Sequence, residues 1–346
     1  MFKHQARSGV LLNFYESHVQ LARVAKMEEQ PLSLDSFCEV DAGDEEGLNQ
    51  WLQTTFPERR AKNLVPGICG FHPQGRVLVR DNLVLRRLGE PEYLRGLVAQ
   101  HAGVSSASEW CVSALHPSEG FLLPSEGAPR PGLLFGLPLA SVREMQHRLL
   151  RLGIRPRRLE LDSLALLGGL MRLLVYKAYP HAGVVCEIEQ EQTRVFILGK
   201  DGVHTPPSFP HGLLSLVESA EKILMLEDHA TALRELGNPS ENLRSHSRRL
   251  VRMISRHLRP AIDYYELQTG QRVGALLCAQ LPSKLTWLGE ALAAAVDLES
   301  IAVDLATWLP TVNVQLTDAP PALNASWLPV FSLAANLTPA VHESKS

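Results

Sequence analysis

The sequence predicts an α/β fold in which one device is built twice, and three observations carry that reading. Residues 11 to 24 (L-L-N-F-Y-E-S-H-V-Q-L-A-R-V) and residues 185 to 198 (V-C-E-I-E-Q-E-Q-T-R-V-F-I-L) share one outline: an apolar entry, a short polar turn and an alternating exit strand. Each hairpin is followed by a further short strand and then by a helical pattern. The length of 346 residues suits two domains or one bilobed fold, at about 100 to 200 residues per domain.

The first half reads as strands at 9 to 14, 18 to 26 and 33 to 39, then a polar D-A-G-D-E-E-G run leading into a helix around Leu48 to Thr55, a βββα opening. L-V-P-G-I-C-G-F-H (64 to 72) is a further apolar strand, and R-V-L-V-R near 76 to 80 begins a different unit with its own strands and a helix around 91 to 102. Between 116 and 132 prolines and glycines interleave with Ser and Glu, which marks a long turn. G-L-L-F-G-L-P-L (132 to 139) then reads as a buried strand and S-V-R-E-M-Q-H-R-L-L-R-L-G as a helix ending at Gly153. R-P-R-R-L-E-L follows as a strand, and a nearly all-apolar helix capped by Asp162 or Ser163 closes the half.

The second half repeats the grammar, with strands at about 183 to 189, 193 to 199 and 203 to 208. A helical region from about 211 to 268 interrupts it before A-L-L-C (275 to 278) resumes strand character ahead of the helix K-L-T-W-L-G-E-A-L-A-A-A-V. Two βββ-plus-α halves, each with an inserted subdomain, form the skeleton of the actin-like, ribonuclease H-like duplicated fold. The expected division is 1 to 180 (core about 1 to 74 and 151 to 180, insertion about 75 to 150) and 181 to 346 (core about 181 to 210 and 269 to 340, helical insertion about 211 to 268).

Composition narrows the function. A formal net charge of −3 gives no electrostatic reason to expect nucleic-acid binding. Cys38, Cys69, Cys111, Cys186 and Cys278 are odd in number and widely spaced, which fits a reducing cytoplasm and no structural metal. The thirteen histidines form no H-E-x-x-H or other ligand cluster, and neither a G-x-S-x-G elbow nor a G-K-[ST] phosphate loop occurs. No signal-peptide pattern opens the chain, and no run approaches the ~18 consecutive apolar residues of a spanning helix.

G-L-L-F-G-L-P-L-A-S-V-R-E-M-Q-H-R-L-L-R-L-G-I-R-P-R-R-L-E-L-D-S-L-A-L-L resembles the PilM proteins of type IV pilus assembly, relatives of the cell-division actin homologue FtsA. The likeness lies in a strand, a Pro, a long helix, G-(I/L)-x-P, a second strand and an acidic residue before a buried helix. L-R-P-A-I-D-Y-Y-E-L-Q-T-G-Q-R-V is similar to the segment in which that family's helix leads to its adenosine loop.

The resemblance implies an ATP cleft whose two phosphate hairpins each carry an Asp for the Mg²⁺ water shell, a Gly where backbone nears phosphate, and a hydroxyl. This chain departs at nearly every one of those positions. The first hairpin has Asn13 for the Asp, Tyr15 for the Gly, Ser17 as the hydroxyl, and Gln20 for the usual Lys. The second has Glu187 for the Asp, Glu189 for the Gly and Thr193 as the hydroxyl, and Ala279 and Gln280 replace the Gly-Gly of the adenosine turn. A carboxylate at Glu189 facing a phosphate at ~4 Å would meet a repulsion of roughly 4 kcal/mol at an effective dielectric near 20.

Two readings of the acidic hairpin stand: a phosphate loop that no longer serves phosphate, which suits Glu187 and Glu189, and a solvated strand face, which suits Glu191. In the helix from about Leu243 to Leu267, Leu250, Ile254, Leu258, Ile262 and Tyr265 form an apolar stripe, with Arg248, Arg252, Arg256 and Arg259 on another flank. The stripe is expected to pack on its own subdomain and the arginines to be solvated and to pair with glutamates. A partner or lipid surface is the alternative.

The resemblance therefore implies a cytoplasmic adaptor of a type IV pilus or related type II secretion machine. A groove between the first core and the 75 to 150 insertion would take the cytoplasmic tail of a single-span, PilN-like inner-membrane protein. It admits pilus motor ATPases as further partners, and contact with the membrane only through the partner. No cofactor is expected, ATP with Mg²⁺ being the exception to test, and no catalytic residue stands out. The rival readings are a protein whose ATP state switches partner binding, and a sugar-kinase-like enzyme, which would need a general-base Asp that the sequence does not single out.

Overall fold

A computed structural model describes residues 8–27, 29–58, 64–118, 120, 122–124, 126–279, 281–301, 303–318 and 325–337. The alternating runs G-V-L-L-N-F and H-V-Q-L-A-R-V form the antiparallel hairpin β1 (Gly9–Phe14) and β2 (His18–Val24), and β3 (Leu32–Asp41) extends it. Helix α1 (Glu45–Thr55) starts where the Asp44 carboxylate accepts from the Gly47 N–H, and buries Leu48 and Leu52. β4 (Val65–Phe71) then lies parallel to β1.

β5 (Val77–Leu83), α2 (Pro91–Ala102), β6 (Trp110–Leu115) and β7 (Arg130–Pro138) make the inserted layer, an antiparallel sheet in the order β5-β7-β6. α2 matches the helix expected around 91 to 102, bounded by Pro91 at its first turn and by Gly103 at φ 67°. Its Leu94 and Val98 close a small core with Val77, Ala114 and Leu134. α3 (Leu139–Arg151) returns to the main layer, where Leu149 joins Phe14, Val19, Leu52 and Ile154 in a second core. β8 (Ile154–Leu161) pairs parallel with β4, and α4 (Asp162–Tyr176) follows. Asp162 is the first residue of α4, and its carboxylate accepts from the Ser163 N–H and pairs with buried His72 at 2.9 Å.

The second sheet opens with β9 (Ala182–Ile188), β10 (Thr193–Gly199) and the short β11 (Gly202–His204), again antiparallel. Five helices fill the insertion: α5 (Leu213–Leu224), α6 (His229–Gly237), α7 (Glu241–Ser245), α8 (Ser247–Leu250) and α9 (Arg252–Thr269). Leu250, Ile254, Leu258, Ile262 and Tyr265 bury the predicted stripe in this unit's own core. β12 (Val273–Ala279) runs parallel to β9, α10 (Trp287–Ala295) covers it, and β13 (Glu299–Ser300) ends the sheet.

The chain then departs from the expected division. α11 (Leu305–Trp308) leads to β14 (Val314–Leu316), which pairs parallel with β3, and the wholly buried α12 (Leu328–Ala335) packs on β1, β4 and β2. The two compact units are thus Met1–Leu173 with Asp304–Leu323 and Trp327–Ser346, and Leu174–Val303 with Asn324–Ser326. Most of the stretch after 303, expected in the second core, belongs to the first, because β14 satisfies the open edge of β3 and α12 supplies the apolar cover that its sheet lacks.

Strand order shows the duplication directly. The first unit reads β14-β3-β2-β1-β4-β8 and the second β11-β10-β9-β12-β13. In both, a three-stranded antiparallel meander continues through its first strand into two parallel strands. Among the described residues, no helix is long and apolar enough to cross a membrane.

Candidate functional site

Each sheet carries one of the predicted hairpins, and the two are filled differently. In the first, the Tyr15 N–H donates to the His18 carbonyl at 2.9 Å, which leaves Glu16 and Ser17 at the tip. The Tyr15 ring is buried and stacks on His18 with centroids 4.2 Å apart. Its hydroxyl reaches Gln20 Oε1 at 3.4 Å, and Gln20 Nε2 donates to Glu39 Oε2 at 2.8 Å. Ser17 Oγ lies 2.9 Å from His18 Nδ1. Gln20, expected as a lost cation, is therefore one link of a polar chain across three strands.

Asn13 stands apart. It is fully buried, opposite Gln20 on one side and Gly70 on the other. Neither of its amide atoms has a hydrogen-bond partner among the described residues, although an unpaired buried amide costs about 1–3 kcal/mol. Gly70 makes room for it: a Cβ there would fall 2.0 Å from Asn13 Oδ1. One register row of the sheet thus reads Glu39, Gln20, Asn13, Gly70, Glu160. At its far end burial raises the Glu160 pKa, which Arg158 and Asn336 oppose.

In the second hairpin one acidic residue is held from within. Glu189 is buried, and its Oε1 accepts from Arg194 Nε at 2.9 Å while its Oε2 accepts from Gln192 Nε2 at 2.7 Å. Glu187 is fully buried, in register with Arg194 on β10 and Ala279 on β12. Glu191 is exposed, as its solvated reading expects. The carboxylate of Glu189 is thus matched by a guanidinium rather than presented bare, and the repulsion argued from sequence becomes occupancy by an internal ion pair.

Backbone groups are spent as well. Thr193 Oγ1 donates to the His211 carbonyl at 2.6 Å. The Glu189 and Gln190 carbonyls accept the Leu213 and Leu214 N–H groups, at 2.8 and 3.0 Å. These are first-turn donors of α5, the kind of groups that hold an anion at a free helix start. The approach requires Gly212, where a Cβ would lie 2.3 Å from the Glu189 carbonyl oxygen. Ala279 ends β12 beside Glu187, and Gln280 lies outside the described residues. Sequence reasoning missed His18, Glu39, Gln192, Arg194 and Gly212; only Arg194 had a signal, since counting across the hairpin sets it opposite Glu187.

Neither a family model nor a curated protein matches the chain. Solved structures do. A chain of the PilM-PilN type IV pilus biogenesis complex is similar with a TM-score of 0.66 at 15% identity, covering 95% of this chain and 98% of that one. The archaeal actin homolog Ta0583 follows at 0.44 and 11%, covering 95% and 98%. The cytoplasmic domain of EpsL, an inner membrane component of the Vibrio cholerae type II secretion system, gives 0.35 and 11%, covering 62% and 76%. With its duplicated strand order and this likeness along nearly its whole length, the chain has the actin-like α/β fold expected from sequence, the fold of the PilM-PilN complex chain.

Proposed function

We propose that the protein is an adaptor of a type IV pilus or related secretion machine, with nucleotide loops that no longer turn over ATP. The observation that carries this reading is the likeness across 95% of the chain to a chain of the PilM-PilN complex. In this reading the first unit takes the cytoplasmic tail of a single-span, PilN-like membrane protein, and through it the adaptor sits at the cytoplasmic face of the inner membrane. The half-buried Cys111, Ser113 and Phe135, on the β6–β7 face turned away from α2, and Met145 of α3 offer an extended peptide an apolar floor.

Titration of a synthetic PilN-like tail peptide tests it. Phe135→Asp should weaken binding at least tenfold, about 1.4 kcal/mol, with the melting temperature of the second unit unchanged. Equal affinity in the variant would remove the groove from the proposal.

The loss of turnover is supported by how the hairpins are filled: Tyr15, Gln20, Glu189 and Thr193 all have internal partners. Millimolar Mg-ATP should leave the melting temperature unchanged, whereas a ligand at 100 times its Kd stabilises by about 2.7 kcal/mol. One observation favours the second reading, ATP-switched partner binding, namely the unpartnered Asn13 amide. A Mg²⁺-dependent rise in melting temperature that Asn13→Leu abolishes would establish it.

A further inference from the structure

We propose that the arginine face of α8 and α9 is a contact surface for an anionic lipid bilayer. The proposal is independent of the tail groove, which lies in the other unit. From Asn242 to Ile262 the sequence holds Arg244, Arg248, Arg249, Arg252, Arg256 and Arg259, with two histidines and no acidic residue, in a chain whose formal net charge is −3. A solvated helix face of the ordinary kind interleaves both signs, and the expected glutamate pairs do not form. Arg259 pairs with Asp297 at 2.5 Å, and Arg244 lies over the Trp287 ring. Arg249, Arg252 and Arg256 are exposed and make no ion pair among the described residues, and exposed Arg248 shares the Asp297 carboxylate's field with Arg259 without pairing directly.

The placement is unfavourable for the helices taken alone. At 3.6 residues per turn, Arg252, Arg256 and Arg259 fall within an arc of about 60°, so like charges are stacked at i, i+4 spacing. The buried stripe of Ile254, Leu258 and Ile262 points away from them. α9 has no acidic residue in its first turn and no basic one in its last, so its positive charges crowd the end of the helix dipole that is already positive. A polyanionic surface relieves both repulsions at once.

Two further side chains select a bilayer over an acidic protein. Beyond the arginines the same face of α9 carries exposed Asp263 and then Leu267, with Tyr264 on its flank; Tyr264 and Leu267 are 65% and 83% exposed. Three guanidinium groups along one arc of α9, with a Tyr and a Leu further along the helix, suit a flat surface with phosphates outside and an apolar layer just beneath. Arginine, rather than lysine, supplies all three of those charges, and its fork matches phosphate oxygens in pairs.

The test is co-sedimentation of the full chain, without any partner, with vesicles of mixed phosphatidylglycerol and phosphatidylcholine beside vesicles of phosphatidylcholine alone. Binding to the mixed vesicles only, weakening as salt rises, is the expected result. Each basic residue near an anionic leaflet contributes about fivefold to partitioning. Arg248→Gln, Arg252→Gln and Arg256→Gln together should therefore lower it roughly a hundredfold. The variant Arg143→Gln, Arg151→Gln and Arg155→Gln, which removes as much charge from the first unit, should leave it within a few-fold. Tyr264→Ser with Leu267→Ser should cost several-fold more at high salt than at low, and this pair stands in if the arginine variant melts early. Equal binding to neutral vesicles, an undiminished arginine variant, or equal losses in both triple variants would overturn the proposal. Binding to polyglutamate with none to vesicles would overturn it in favour of an acidic protein.

Discussion

The β1–β2 and β9–β10 hairpins occupy equivalent places in two sheets of the same strand order, yet they solve the same problem with opposite chemistry. The first is stabilised by an aromatic stack and a polar chain without an ion pair, Tyr15 on His18 and Tyr15 to Gln20 to Glu39. The second is stabilised by a charge pair and by backbone, Glu189 with Arg194 and the hairpin carbonyls with the start of α5. The same hairpin geometry can be filled by whatever satisfies its backbone and buries its side chains.

Substitutions can break that contrast, and the largest effect belongs to the aromatic side. Tyr15→Ala empties a buried ring site and should cost about 3–5 kcal/mol in urea unfolding. A loss under ~1 kcal/mol would show that the stack is incidental. Arg194→Ala should cost somewhat less, roughly 2–3 kcal/mol, because it strands buried Glu189 while Gln192 still holds one oxygen. The sharper measurement is the double variant Arg194→Met with Glu189→Met. Recovery of at least half the loss identifies the penalty as an unpaired charge, whereas additive losses would place it in packing. The smallest effect should be a gain: Asn13→Leu removes two unpartnered amide atoms from a fully buried site and should stabilise by about 1 kcal/mol. A destabilised Asn13→Leu protein would mean that the amide is satisfied in solution.

Much of this was legible in the residues. Periodicity placed β1, β2, β9 and β10 to within two residues, and the helix expected around 91 to 102 is α2. The departures at Asn13, Tyr15, Glu187 and Glu189 were visible because each sits at a counted position in a hairpin. Their partners were not, apart from Arg194. Glu39 reaches Gln20 from 19 residues away, and the capping of α5 by the Glu189 carbonyl needs the whole 205–212 loop to fold back. The return of β14 to β3 was illegible for a plainer reason. A three-residue parallel strand some 280 residues from its partner has no local signature, and the apolar α12 would suit either unit.

That return has a consequence for biosynthesis. The first unit to begin emerging from the ribosome is the last to be completed, because β14 and α12 come after the entire second unit, Leu174–Val303. At about 5–20 residues per second, those 130 residues delay closure by roughly 7 to 26 seconds. Throughout that interval the β3 edge is unpaired, and the sheet face that α12 will cover, with the Asn13 and Gly70 row at its centre, is open to water and to other nascent chains. Holding chaperones should therefore engage the open sheet of the first unit while the second is still being synthesised.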